Sequence, residues 1–328
     1  MKEPQPSQSA NEELRRLLET IYSSFKDEHA GAVADYIPEL AKADPDSFGL
    51  SIATASGKLV CAGDTERSFT IQSISKAFTY CIALELCGHV AVLERVGVEP
   101  SGDAFNSIEF DPHTRRPFNP MVNAGAITVA GLLYDELGEK AFDHVLDRFS
   151  HAAGRQLEVD QAVYESEALT GHRNRAIAHL LLATGALKGP VEPVVDLYFR
   201  QCAILVTSRD LAWMGATLAH FGEHPLTGRQ IFQLKPVRDT LSVMFSCGMY
   251  DYSGNWGFDV GLPAKSGVGG GILGVVNRQM GIGSYSPRLD SKGNSVRGVK
   301  AFAALSDELG LHAFECTNSG SSVSRRFV

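Results

Sequence analysis

Residues 69–76 read Phe-Thr-Ile-Gln-Ser-Ile-Ser-Lys, and residues 262–268 read Leu-Pro-Ala-Lys-Ser-Gly-Val. The first stretch leaves a polar loop and opens an apolar run of helical period. Ser73 therefore falls at a helix start, with Lys76 on the same face three positions on. A serine hydroxyl is inert near neutral pH until a base takes its proton. A lysine becomes that base only when desolvation or nearby cations bring its pKa down from about 10.4. The helix N-terminus adds a field that favours developing negative charge. Alone, S-x-x-K is a weak signal, because an N-cap serine followed by a solvated lysine has the same letters.

The second stretch reads as a strand running into Gly267 and the glycine-rich 269–271. A strand edge presents backbone N–H groups in fixed geometry, and Gly267 lets a ligand approach closely. One such N–H, with the nucleophile's own, makes a two-donor oxyanion hole. Lys265 and Ser266 read equally well as turn-flanking residues with no role. Together and in this order, across a long helical insertion, the two motifs form the pair used by penicillin-recognising serine enzymes.

Outward from these motifs, residues from Asn11 to about Ala30 have helical period, with Leu14, Leu17, Leu18, Ile21 and Phe25 on one face. Residues 48–54 and 58–62 alternate around Ala55-Ser56-Gly57 as a β-hairpin. From Ser73 to about Gly254 the pattern is helical, with segments near 74–88, 122–137, 139–153, 173–185, 193–202, 208–221 and 236–246. Strand character returns at 263–268, 271–277 and 279–285, followed by a helix at 298–310 and a short polar tail. The expected fold is α/β (α+β): an antiparallel sheet built from both chain ends and flanked by helices, plus a helical subdomain. One domain spans 1–328, with an α/β subdomain at about 1–70 and 255–328 and a helical subdomain at about 71–254. The cleft between them is the natural pocket.

The 328 residues are 44% hydrophobic and 21% charged, with a net charge of −8. That balance supports a packed core and argues against nucleic-acid or anionic-membrane partners, which ask for a basic face. The chain begins Met-Lys-Glu-Pro-Gln-Pro-Ser, without the apolar core of a secretory signal, and no stretch approaches the roughly 20 apolar residues of a membrane span. A cytoplasmic location is expected. Cys61, Cys81, Cys87, Cys202, Cys247 and Cys316 are scattered without a C-x-x-C pair and read as reduced, mostly buried small hydrophobes.

Two further patterns carry less. Gly269-x-Gly271-x-x-Gly274 matches a dinucleotide-binding pattern but leads into Val275-Val276, which continues a strand instead of opening a helix. His220-Phe-Gly-Glu-His224 matches H-x-x-E-H, yet Gly222 and Pro225 break the helix that a zinc site of this type needs. A helix C-terminal turn is the expectation there.

The surrounding residues resemble the serine-dependent glutaminases in their compact, bacterial-type form. The resemblance rests on Gly63-Asp64, the run Phe69 to Lys76, Glu99-Pro100-Ser101-Gly102 and Asn119-Pro120-Met121-Val122-Asn123-Ala124-Gly125-Ala126-Ile127. Ser246-Cys247-Gly248-Met249-Tyr250-Asp251 and Leu262 to Val268 complete it, in order from about Tyr36 to about Val299. It implies a β-lactamase-like fold and hydrolysis of L-glutamine to L-glutamate and ammonia without metal or organic cofactor. By the same resemblance Ser73 is the nucleophile, Lys76 its activating partner and Tyr250 a second proton shuttle. The N–H groups of Ser73 and Val268 hold the oxyanion. Asn123, Glu167, Asn174 and Tyr198, together with Ser73 and Tyr250, clamp the substrate, Glu167 being the one carboxylate for its ammonium. Tyr36 adds to the pocket wall, and His172 receives no role. The resemblance also implies a homodimer or homotetramer.

Read without it, Asn123 would be a helix N-cap, Glu167 and Asn174 capping residues near a helix start, Tyr198 core and Tyr250 a turn anchor. Two other functions remain open at this stage. One is a β-lactam-acylating hydrolase or D,D-peptidase of the same fold; the other is a non-catalytic binding module.

Overall fold

The structure, a computed structural model, describes residues 8–102 and 107–315; Cys316, the first seven residues and the polar tail from 316 lie outside them. In chain order the first elements are α1 (Gln8–Phe25), β1 (Gly49–Thr54), β2 (Leu59–Gly63), β3 (Phe69–Thr70), α2 (Ser75–Leu86), α3 (His89–Leu93) and α4 (Asn123–Leu137). Then come α5 (Ala141–Ala153), α6 (Gln161–Thr170), α7 (His172–Thr184), α8 (Val191–Cys202), β4 (Leu205–Val206) and α9 (Ser208–Ala219). The last are α10 (Leu234–Cys247), α11 (Ser253–Asp259), β5 (Ala264–Ser266), β6 (Gly271–Val276), β7 (Met280–Tyr285) and α12 (Val296–Leu309).

The hairpin β1–β2 forms as its alternation requires, and its β1 strand pairs antiparallel with β7, Ile52 opposite Ile282. The sheet order is β2-β1-β7-β6-β5, so strands from both chain ends share one antiparallel sheet. Period-two alternation sends its side chains to two sides. Leu50, Ile52, Ile272 and Ile282 meet α1 and α12 through Leu18, Ile21, Phe302 and Leu305. On the other side Ser51 Oγ lies 3.0 Å from Ser208 Oγ at the start of α9. Here the backbones nearly touch: a Cβ on Gly281 would lie 2.1 Å from Ala216 N, and one on Gly283 2.1 Å from Ser208 O.

The helical region surrounds α2 and α4. Both are apolar on all sides, the signature of a helix enclosed by others, and they are buried at 75–84 and 123–133 respectively. A two-residue ladder, Phe69 opposite Val206, ties the loop before Ser73 to the entry of α9. Strands this short leave no periodicity: Phe69-Thr70 reads as part of a polar loop and Leu205-Val206 as part of the helical block. Helix α6 was also not expected. Its only buried side chains are Val163 and Glu167, too few for an apolar stripe, and Asp160 starts it by accepting from Val163 N–H. Helix α1 stops at Phe25, short of the expected Ala30.

Helix α9 ends at Ala219, and beyond it Phe221 and Gly222 take positive φ of 60° and 86°. His220 Nδ1 turns to Glu223 O while His224 stacks on Trp213, so the two rings do not converge. Among the described residues no group of three His, Cys, Asp or Glu side chains is placed to hold a metal ion. None of their helices is long and apolar enough to cross a membrane. The glycines at 269, 271 and 274 lie in a turn and in β6. Cys61, Cys81, Cys87, Cys202 and Cys247 are free thiols.

Candidate active site

Ser73 lies in a single 3₁₀ turn, Gln72–Ile74, that runs straight into α2. Its predecessor Gln72 has φ 49°, a left-handed backbone that L-residues other than glycine, asparagine and aspartate seldom adopt. One turn on, Lys76 is fully buried. Its Nζ donates to Asn123 Oδ1 at 2.6 Å and to Met121 O at 3.4 Å. Burial lowers the lysine pKa to about 8, against a smaller opposing effect of nearby Cys202 and Glu167. A lysine so placed exchanges its proton near neutrality.

Tyr250 follows α10 in another 3₁₀ turn and also has a left-handed backbone, φ 58°. The Ser73 and Tyr250 hydroxyls are hydrogen-bonded, and Tyr250 Oη donates to Ser266 O at 2.9 Å. Burial pushes the Tyr250 phenol well above its ordinary value, so it stays protonated. Lys265, fully buried on β5, places Nζ 4.2 Å from the centre of the Tyr250 ring. It donates to Ser266 O at 2.8 Å and to Gly248 O at 2.9 Å. Its partners are carbonyls, and burial, followed by the charge of Lys76, drives its pKa well below the usual lysine range. The close seating of α10 on β5 requires Gly248, where a Cβ would lie 1.7 Å from Ala264 O.

Asn123, Glu167, Asn174, Tyr198 and Tyr36 line, with Ser73, one cavity of about 100 Å³, whereas Lys76, Tyr250 and Val268 are not among its lining residues. Asn123 is the first residue of α4, but Val122 is its N-cap, so the capping expectation is corrected. The Asn123 side chain instead accepts from Lys76 and donates to Asn174 Oδ1 at 3.0 Å. Glu167 lies in the last turn of α6 and not near a helix start; Asn174 lies in the first turn of α7. Between them Gly171 forms a corner against Phe199, where a Cβ would lie 2.3 Å from the ring's Cζ. Burial raises the Glu167 carboxyl to about 8, opposed by Lys76, and its Oε2 has no hydrogen-bond partner. Tyr198 on α8 is buried, with Lys76 Nζ 5.9 Å from its ring centre. Val268 follows the last ladder pair of β5, Ser266 opposite Ile272, and packs in one cluster with Tyr250 and Ile37.

Three features of this site escaped sequence reasoning. Gln72 and Arg173 also line the cavity, and the Lys265 side chain underlies Tyr250. For Lys265 the signal was present, since the K-S-G motif was read for its backbone and not for its lysine.

The family model described as Glutaminase matches residues 31–314. Glutaminase 1 of Bradyrhizobium diazoefficiens is 54% identical over 91% of this chain, which spans only 49% of that relative's length. The glutaminase of Trichormus variabilis is 51% identical over 92% of this chain and 91% of its own. A solved structure of a probable glutaminase, ybaS, superposes with a TM-score of 0.90 at 41% identity, covering 92% of this chain and 98% of that one. The shared architecture, an antiparallel sheet flanked by helices, is the serine β-lactamase-like fold. Family match, relatives and fold agree, and this chain belongs to the glutaminase family.

Proposed function

We propose that this glutaminase hydrolyses L-glutamine to L-glutamate and ammonia through an ester on Ser73. The observation that carries the reading is the convergence of Ser73, an amide pair and one buried carboxyl on a single small cavity, with buried Lys76 hydrogen-bonded to the Asn123 of that pair. In acylation, the Ser73 hydroxyl turns from Tyr250 to neutral Lys76, which takes its proton as Ser73 Oγ attacks the side-chain amide carbon. The tetrahedral oxyanion is held by the N–H groups of Ser73 and Val268. Lys76 then returns the proton to the departing nitrogen, the C–N bond breaks and ammonia leaves. Water attacks the ester by the same route in reverse and releases L-glutamate.

Of the two candidate bases, Lys76 fits better. Its pKa is lowered towards neutrality, whereas that of Tyr250 is raised. Tyr250, kept as a phenol, accepts from Ser73 and fixes its rotamer through Ser266 O. Glu167 would take the substrate's α-ammonium, and Asn123, Asn174 and Tyr198 its other polar atoms, which accounts for the unpartnered Glu167 Oε2. The reading treats the chain as one catalytic domain that needs no metal or organic cofactor and assembles as a homodimer or homotetramer.

A coupled assay of glutamate formed from glutamine tests the core of it. Ser73→Ala is expected to abolish turnover while the protein stays folded and still binds L-glutamate. A variant that kept a tenth of the parent rate would remove Ser73 as nucleophile. A stable acyl-enzyme with labelled penicillin would point instead to the β-lactam chemistry of the same fold.

A further inference from the structure

The turn that presents Ser73 rests on a backbone conformation that needs outside support. Gln72 holds φ 49° without the freedom of a glycine, at a cost on the order of 1 kcal/mol or more. Two donors from Ser75 meet its carbonyl oxygen. The Ser75 backbone N–H donates to Gln72 O, and Ser75 Oγ donates to the same oxygen at 2.7 Å. Ser75 is fully buried and lines no part of the substrate cavity.

Behind Ser75 stands Gln201 on α8, also fully buried, with Nε2 donating to Ser75 Oγ at 3.3 Å. Because the Ser75 proton is committed to Gln72 O, its oxygen can only accept, and this sets the orientation of the amide. Gln201 Oε1 is left without a partner. An unsatisfied buried acceptor is destabilising, so a leucine of similar shape would serve the core better. What Gln201 has that a leucine here would lack is the one hydrogen bond it makes, to Ser75 Oγ.

We propose that Gln201 and Ser75 form a positioning relay that locks the left-handed Gln72 backbone and thereby sets the nucleophile Ser73. The inference rests on the assignment of Ser73 above. Neither residue touches substrate; both act through the Gln72 carbonyl on the orientation of the Ser73 hydroxyl and N–H. Those two groups matter most in the transition state, so the relay belongs to kcat and not to binding.

The test compares Ser73→Ala, Ser75→Ala, Gln201→Leu and the Ser75→Ala/Gln201→Leu double variant of the full chain. The readouts are kcat, KM and the Kd for L-glutamate, with thermal melting as a check of folding. Ser75→Ala is expected to lower kcat at least tenfold and Gln201→Leu at least threefold, each with KM and glutamate Kd within twofold of the parent. The double variant should lose no more than Ser75→Ala alone, because the two side chains act in series. Gln201→Leu fills the same space and carries the test if Ser75→Ala does not fold. A kcat near the parent's in the folded single variants, losses confined to KM, or fully additive losses would overturn the relay. If Ser73→Ala is itself active, the nucleophile assignment fails; if it is inactive while Ser75→Ala and Gln201→Leu are normal, only the relay does.

Discussion

At the residue scale, the proposed roles of Lys76 and Glu167 predict how activity responds to pH. Lys76 is lowered to about 8 and Glu167 raised to about 8, each mainly by burial. Below that pH the lysine holds its proton and cannot act as base, and the carboxyl is neutral and cannot pair an ammonium. Above it both groups are in the working form. Hence kcat/KM should rise with pH up to about 8, by more than tenfold per unit where two protons must leave. Glu167→Gln should reduce that slope to about tenfold per unit and act mainly on KM; a flat profile from pH 6 to 8 would contradict the assignment. Lys265 makes the opposite kind of statement. Its native pKa lies well below the unfolded one, so the unfolded chain binds the extra proton and folding is penalised at every pH up to the unfolded value, near 10.4. Its two carbonyl partners have other donors, Tyr250 Oη to Ser266 O and Ser266 N–H to Gly248 O. Lys265→Met is therefore expected to raise the urea midpoint while lowering kcat through a loosened Tyr250. A destabilised variant would show that the two Lys265 hydrogen bonds to carbonyls are structural. Ser73, Lys76 and the K-S-G segment were legible in sequence because their chemistry occupies neighbouring letters with a defined helix or strand context. Glu167, Asn174 and Tyr198 were not, since each is also an ordinary helix residue and only the family resemblance singled them out.

At the scale of elements, the proposed clamp depends on how α6 turns into α7. Gly171 has an ordinary φ of −73°, so it is needed for space and not for backbone freedom. A methyl there would meet Phe199 Cζ at 2.3 Å and Glu167 O at 2.7 Å. Since Phe199 is buried, the corner must move, separating Glu167 from Asn174. Gly171→Ala should raise KM for glutamine at least tenfold and change kcat much less; a kcat effect with unchanged KM would show that the corner does not set the clamp. The same corner explains where element reading from sequence succeeded. The strands β1, β6 and β7 and the buried helices α2 and α4 announce themselves by long apolar patterns. Helix α6 and the pair β3–β4 do not, because their placement comes from contacts with distant segments: Val206 for Phe69, Phe199 for Gly171.

At the scale of the whole molecule, two apolar cores share one sheet. On β6, Ile272 packs with α1 and α12, while its neighbour Leu273 packs with the helical region. Strand alternation alone produces this division, and it ties the sheet to the helices more firmly than any linker would. Neither core can lose its packing without exposing the sheet that backs the other, so unfolding should be a single cooperative event. The two tryptophans report on opposite sides: Trp256 sits in the core with α1 and α12, and Trp213 on α9 packs with Ala53 and His224. Single-tryptophan variants, Trp213→Phe and Trp256→Phe, make each side visible by fluorescence. Leu18→Ala on one side and Leu133→Ala on the other should each cost about 2–5 kcal/mol. Each should move both tryptophan transitions in urea to the same new midpoint. If Leu18→Ala shifts the Trp256 transition and leaves that of Trp213 in place, the cores are independent and the shared sheet does not couple them.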